Sequence, residues 1–151
     1  MKKILLTMCV LSCFCMAQFT TGTKSFGGSG TLTLADPDMT IALDVSCGKF
    51  VMDNVQVSVG VNMAGTTDTM TDAIGYSVGA NYYMGSMYGG ASYGGSTLEG
   101  SDGALDFRGG YLMGCGDSGN LFLDLYGNYN MGLGDGAEGV LSFGFGVVTF
   151  F

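Results

Sequence analysis

The stretch Leu141-Ser-Phe-Gly-Phe-Gly-Val-Val-Thr-Phe-Phe151 decides the fold, because its residues alternate between two kinds. Ser142, Gly144 and Gly146 separate large apolar residues, and a period of two is that of a β-strand rather than a helix. One apolar face opposite a face of very small side chains suits a sheet with lipid on one side and a narrow lumen on the other. The apolar face comprises Leu141, Phe143, Phe145, Val147 and Phe151.

Similar segments recur along the chain, separated by breaks rich in Gly, Asp, Asn and Ser. They predict eight strands, over residues 23–34, 39–50, 55–63, 73–84, 87–97, 105–113, 121–131 and 140–151. Most of these lengths are close to the roughly 9–11 residues of a tilted transmembrane strand, and an even number of strands is typical of bacterial barrels. The predicted fold is all-β: one eight-stranded antiparallel up-and-down transmembrane β-barrel over residues 18–151.

The alternation has exceptions. Leu112 and Phe122 are apolar residues on the otherwise polar faces of the sixth and seventh strands. In the first strand, Gly27 and Gly28 suggest a β-bulge that switches the two faces. In the fifth strand, Tyr88 and Tyr93 are five residues apart, so a period of two does not place both on one face.

The N-terminus has the pattern of a secretory signal peptide over residues 1–17. Lys2 and Lys3 precede an apolar run that is too short for a transmembrane helix, and cleavage after Ala17 is expected. A lipoprotein signal with Cys13 as the lipidated residue is the alternative.

The composition is acidic and poor in charge. The whole chain has 13 acidic and five basic residues, and loss of Lys2 and Lys3 with the signal peptide leaves three basic residues and a net charge of −10. Nucleic acid is not an expected partner, because phosphate contacts need clustered Lys and Arg. Charged residues make up 12% of the chain, against about 25% in ordinary soluble domains. A surface covered largely by something other than water is therefore expected.

The chain contains no histidine, which removes Ser-His and Asp-His catalysis and the usual zinc ligands. We therefore expect no enzymatic activity, no catalytic residues, no metal site and no cofactor. Four charged residues should point into the lumen, namely Asp44, Asp106, Arg108 and Asp124. They suggest a structural network in which Arg108 meets Asp124 or Asp106, and the alternative is a narrow cation-preferring pore.

The predicted outer loops are acidic and could bind divalent cations, although a solvated rim is the simpler interpretation. These acids are Asp36, Asp38, Asp68, Asp72, Glu99, Asp102, Asp135 and Glu138. Cys47 and Cys115 remain after signal removal and belong to the second and sixth strand regions. Since these strands lie on opposite sides of an eight-stranded barrel, free thiols are expected.

Three segments resemble the small outer-membrane β-barrel families of diderm bacteria. The aromatic last strand resembles the closing strand of these families. Their opening strand is similar to Gly22-Thr-Lys-Ser-Phe-Gly-Gly-Ser29. Their first periplasmic turn and third strand are similar to Phe50-Val-Met-Asp-Asn-Val-Gln-Val-Ser-Val-Gly-Val61. The resemblance implies that the assembly machinery recognises the closing strand, although Thr149 departs from the usual apolar residue. The residues of this assembly signal would be Phe143, Phe145, Val147 and Phe151.

The resemblance also implies periplasmic termini, export to the outer membrane, outer-membrane lipid as a partner and a monomeric barrel. The expected role is structural, in envelope integrity, or interactional. Two other roles stay open, a narrow passive pore for small solutes or cations and a secreted glycine-rich protein that self-associates into fibres.

Overall fold

The computed structural model describes residues 19–34, 39–65, 74–97, 103–115, 119–134 and 139–151. The predicted signal peptide, its Cys13 alternative and the eight acidic loop residues lie outside these ranges. Eight β-strands are present: β1 Lys24–Leu34, β2 Met39–Met52, β3 Val55–Gly65, β4 Ile74–Met84, β5 Met87–Ser96, β6 Ala104–Gly114, β7 Leu121–Gly132 and β8 Gly139–Phe150. No helix in the described part of the chain is long and apolar enough to cross a membrane.

The strands form a closed antiparallel barrel in which each strand pairs with its neighbours in sequence order. β1 closes the barrel against β8, from Ser25 opposite Phe150 to Thr31 opposite Gly144. The predicted fold is therefore confirmed, and every predicted strand end lies within two residues of the observed one. In a closed barrel each strand satisfies its backbone groups on both sides, which is what a bilayer requires.

Two hairpins have the shortest possible connections, and both lie at the end of the barrel that holds the termini. Asp53 and Asn54 join β2 to β3, and Gly85 and Ser86 join β4 to β5. Asn54 and Gly85 have φ angles of 65° and 66°, a left-handed conformation that asparagine and glycine adopt more readily than other residues. In bacterial barrels such short turns are typical of the periplasmic end.

Apolar side chains cover the outside of the barrel. Phe143 and Phe145 of β8 are 70% and 65% exposed, and Val59 of β3 is 57% exposed. The same exposed, outward position is shared by Phe26, Leu43, Val45, Val57, Val61, Ile74, Tyr76, Val78, Tyr82, Tyr93, Phe107, Leu125, Tyr129 and Val147. Such a surface is unfavourable in water and suits contact with acyl chains.

The expected bulge at Gly27 and Gly28 is wrong. The pairing of β1 with β2 runs without interruption from Lys24 opposite Lys49 to Leu34 opposite Met39. The irregularity lies instead in β2, where the register with β3 shifts between Phe50 and Met52. This bulge inserts Val51, leaves Phe50 inside the barrel, and extends β2 past its predicted end.

The offset of the two tyrosines in β5 has a simple geometric explanation. Residues five apart on a regular strand lie on opposite faces. Tyr88 is 6% exposed inside the barrel, whereas Tyr93 is 42% exposed outside it. β5 therefore keeps a period of two, and the two tyrosines serve different surfaces.

Many glycines on the lumen face stand directly opposite a larger residue of the neighbouring strand. Gly110 pairs with Tyr88, and a methyl group at Gly110 would lie 2.5 Å from Cε1 of the Tyr88 ring. Gly144 lies under the ring of Tyr126 in the same way. Glycine thus provides the volume in which the larger side chains of a narrow barrel fit.

We predict that Gly110→Ala lowers the stability of the barrel by about 1–3 kcal/mol, because the added methyl group overlaps the enclosed Tyr88 ring. The matched control is Gly89→Ala on the adjacent strand, where nothing lies within 4 Å of the added atom. Urea titration of the folded gel band in lipid vesicles measures both. Equal midpoints for the two variants would contradict the proposed packing.

Candidate functional site in the barrel lumen

Buried, mostly aromatic side chains pack inside the barrel at the end that holds the termini. Phe50 is completely buried, and its ring stacks on Phe19 with centroids 5.0 Å apart. Phe150 lies 4.5 Å from the Phe19 ring, and Tyr83 lies 4.8 Å from it. We call this cluster the aromatic plug; it consists of Phe19, Phe50, Tyr83, Tyr88, Leu112 and Phe150, with Phe122 and Val148 packed against it.

Phe19 reaches the plug from the segment that precedes β1. Its carbonyl oxygen accepts a hydrogen bond from the Asn54 backbone N–H at 2.9 Å, and the Gly22 N–H donates to the Phe50 carbonyl at 2.8 Å. The carboxylate of Asp53 accepts hydrogen bonds from the backbone N–H and the hydroxyl of Thr21, at 2.9 and 3.0 Å. These bonds hold the pKa of Asp53, which lies in the turn, below its ordinary value.

The plug explains the two exceptions to the alternating pattern. Leu112 is 3% exposed and belongs to the plug, and Phe122 packs against it. Both residues lie at the turn end of their strands, where the lumen is apolar instead of polar. Phe19 was missed by the sequence reasoning, since an isolated aromatic residue outside any strand gives no periodic signal.

A layer of hydrogen-bonded polar side chains lies next to the plug. Gln56 is 3% exposed, and its Nε2 donates to the Ser25 hydroxyl at 2.7 Å. Its Oε1 accepts hydrogen bonds from the Tyr83 hydroxyl at 3.1 Å and from Asn81 Nδ2 at 3.2 Å. Gln56 therefore links β1, β3 and β4 across the inside of the barrel.

Arg108 lies among aromatic and acidic side chains further along the lumen. Its guanidinium carbon is 3.4 Å from the ring centroid of Tyr126, a cation–π arrangement, and its Nη2 lies 3.9 Å from Asp124 Oδ2. The Tyr88 hydroxyl donates to the Asp124 carboxylate, with oxygen distances of 2.8 and 2.9 Å. Asp124 thus connects the charged layer to the plug through Tyr88.

The other two predicted acids also face the lumen. Asp106 Oδ1 accepts hydrogen bonds from Asn128 Nδ2 at 3.0 Å and from Asn130 Nδ2 at 2.7 Å. Asp44 lines the same cavity as Arg108 and Asp106. The structure therefore brings the four predicted charged residues together, with Arg108 paired to Asp124 rather than to Asp106. Their role as a structural network stays a prediction.

A polar cavity of about 320 Å³ occupies the lumen beyond the plug. Its lining includes Ser29, Asp44, Ser77, Ser92, Asp106 and Asn128. At the volume of liquid water, such a space holds about ten water molecules. The lumen thus has two parts, an end filled by the aromatic plug and a polar chamber.

The remaining candidate residues are two cysteines. Cys47 is exposed on β2, Cys115 follows β6, and both are free thiols. Within the described ranges, no group of three or more Cys, Asp or Glu side chains is arranged to hold a metal ion.

Comparison with solved structures agrees with this architecture. A designed transmembrane β-barrel superposes with a TM-score of 0.60 at 13% identity, over 89% of this chain and 99% of that one. The neisserial surface protein A superposes with a TM-score of 0.55 at 16% identity, over 85% of this chain and 96% of that one. The outer-membrane protein Ail of Yersinia pestis superposes with a TM-score of 0.55 at 15% identity, over 86% of this chain and 99% of that one.

The fold is therefore that of the small eight-stranded transmembrane barrels of bacterial outer membranes, as the sequence resemblance implied. At these identities the likeness concerns the fold alone. No protein-family model matches the chain, and no curated protein sequence matches it.

We predict that Arg108→Ala lowers the stability of the folded barrel. Removal of one partner of a fully buried ion pair costs about 3–5 kcal/mol. Because the Arg108 and Asp124 side chains are 28% and 13% exposed to the lumen, solvent screening should reduce the loss to about 1–3 kcal/mol. The urea midpoint in vesicles measures the change.

The double variant Arg108→Ala with Asp124→Asn is the control, because it also removes the carboxylate that Arg108→Ala leaves unpaired. It should be more stable than Arg108→Ala alone. If the stability lost in the double variant equals the sum of the losses in Arg108→Ala and in Asp124→Asn measured separately, the two side chains are not coupled.

Proposed function

We propose that this protein is an integral outer-membrane β-barrel with a closed lumen, and that it acts as a non-catalytic structural element of the cell envelope. The observation that carries the proposal is the aromatic plug, in which Phe50 has no exposed surface. Such a plug blocks the passage of water and ions, because hydration of an ion is lost in an apolar constriction.

The outer surface supports a membrane location. Its exposed apolar residues surround the barrel, and the described charged residues on the strands either point into the lumen or lie near the turn end. A basic residue at the bilayer midplane costs about 2–4 kcal/mol, so this distribution favours insertion. Outer-membrane lipid is the proposed partner, and a monomeric barrel is sufficient for it.

The route to the membrane is part of the proposal. Residues 1–17 would direct export and be cleaved, and the barrel-assembly machinery would recognise the closing strand. The four residues assigned to that signal are all exposed on the outer face of the barrel, namely Phe143, Phe145, Val147 and Phe151. Side chains on this face do not fill the lumen, so a partner can contact them.

A narrow cation-preferring pore is the second candidate, and the polar chamber with Asp44 and Asp106 favours it. The plug opposes it, since it lies between the chamber and the turn end. The fibre-forming alternative needs free strand edges, and each of the eight described strands is paired on both sides.

Conductance across a planar lipid bilayer tests the proposal. The folded wild-type protein should give no stable current steps, because the plug closes the lumen. The variant Phe19→Ala/Phe50→Ala removes two stacked rings and should produce small, cation-selective steps through the acidic chamber. Each chain is first checked for a heat-modifiable band on a gel, so that only folded barrels are measured.

The matched control is Phe26→Ala, which removes a ring of the same size from the lipid-facing side. The folded Phe26→Ala barrel should give no stable current steps. Steady current steps from the wild-type protein would contradict a closed lumen and favour the pore.

A further inference from the structure

The two lysines of the described strands lie side by side on the outer surface. Lys24 of β1 is directly opposite Lys49 of β2 in the antiparallel register, and both side chains are exposed. Lys24 is also hydrogen-bonded on its other side to the backbone of Phe151, and Lys49 is opposite Val57 of β3. The four residues form one row across the barrel surface, next to the turn end.

This arrangement carries an electrostatic cost. Side chains directly opposite each other in an antiparallel pair have Cβ atoms about 4.5–5.5 Å apart, and like charges at this distance are destabilising. Within the described part of the chain, the ion pair between Arg108 and Asp124 is the one salt bridge, so neither lysine is neutralised there. Asp53, in the turn after β2, is engaged by Thr21.

The neighbours of the lysine pair are apolar and exposed. Phe26, Val51 and Phe151 are 50%, 49% and 67% exposed. Two ammonium groups beside a lipid-facing apolar surface match the headgroup level of a bilayer, where lysine side chains extend their charge toward phosphate while the stem stays in apolar contact.

We infer that Lys24 and Lys49 form a binding site for the phosphate of an anionic phospholipid in the periplasmic leaflet. The inference rests on the proposed outer-membrane location. It commits to a lipid rather than to free phosphate, because the apolar rim formed by Phe26, Val51 and Phe151 gives the acyl chains a surface that an inorganic anion would not use.

Native mass spectrometry of the folded protein tests the site. The barrel is released from detergent micelles that contain equal amounts of phosphatidylglycerol and phosphatidylcholine with the same acyl chains. Wild type should retain phosphatidylglycerol about tenfold more than phosphatidylcholine, since both lysines contribute to the attraction. Lys24→Gln/Lys49→Gln should lose this preference, and Lys24→Arg/Lys49→Arg should keep it.

Folding of every chain is checked first, by its heat-modifiable band in lipid vesicles. A folded double glutamine variant that retains the wild-type preference would overturn the lipid site while leaving the proposed membrane function intact. Wild type that gives no folded band in vesicles would overturn the proposed function and the site together.

A parallel sample contains added inorganic phosphate. Undiminished retention of phosphatidylglycerol supports recognition of the whole lipid. Displacement of the lipid by millimolar phosphate would show a site for free anions and would overturn the inference.

Discussion

The need to satisfy every backbone hydrogen bond inside a bilayer is the constraint on which the rest of this structure depends. Lipid offers neither donors nor acceptors, so a sheet that spans it must close on itself. Here the closure is made by β1 and β8, whose pairing joins the two ends of the described barrel. Eight strands then enclose an interior with room for little more than their own side chains.

The narrow interior accounts for the unusual composition. The chain has 28 glycines, and charged residues make up only 12% of it, against about 25% in ordinary soluble domains. In the barrel, lumen glycines stand opposite rings and amides that would otherwise overlap, as Gly144 does under Tyr126. The few charges of the lumen lie around Arg108, where Asp124 is paired with Arg108 and Tyr88, and Asp106 accepts hydrogen bonds from two asparagines.

The lumen changes character along its length. The aromatic plug gives the turn end a small hydrophobic core, which a barrel with a fully polar interior would lack. Tyr88 joins the two regions, because its ring belongs to the plug and its hydroxyl binds Asp124. Loss of either region should therefore affect the other, and the plug and the charged layer are best regarded as one unit.

The strands and their faces could be predicted from sequence, because lipid on one side imposes a period of two that is readable in β3, β7 and β8. The lumen position of the four charged residues could be predicted in the same way. The choice of Asp124 as the partner of Arg108 could not, since it depends on the observed stacking over Tyr126. Phe19 and the bulge at Val51 were also missed, because a periodic pattern reveals neither an aromatic residue outside the strands nor the position of a bulge.

Disulfide trapping across the seam tests the closed barrel most directly. In a Cys47→Ser/Cys115→Ser background, Gly28→Cys and Val147→Cys place two thiols at directly paired positions of β1 and β8, within the Cα separation that a disulfide allows. We predict rapid cross-linking in lipid vesicles for this pair and none for Gly28→Cys with Leu125→Cys, which places the second thiol on β7. Equal cross-linking of the two pairs, or none in folded protein, would contradict the closure of the barrel between β1 and β8.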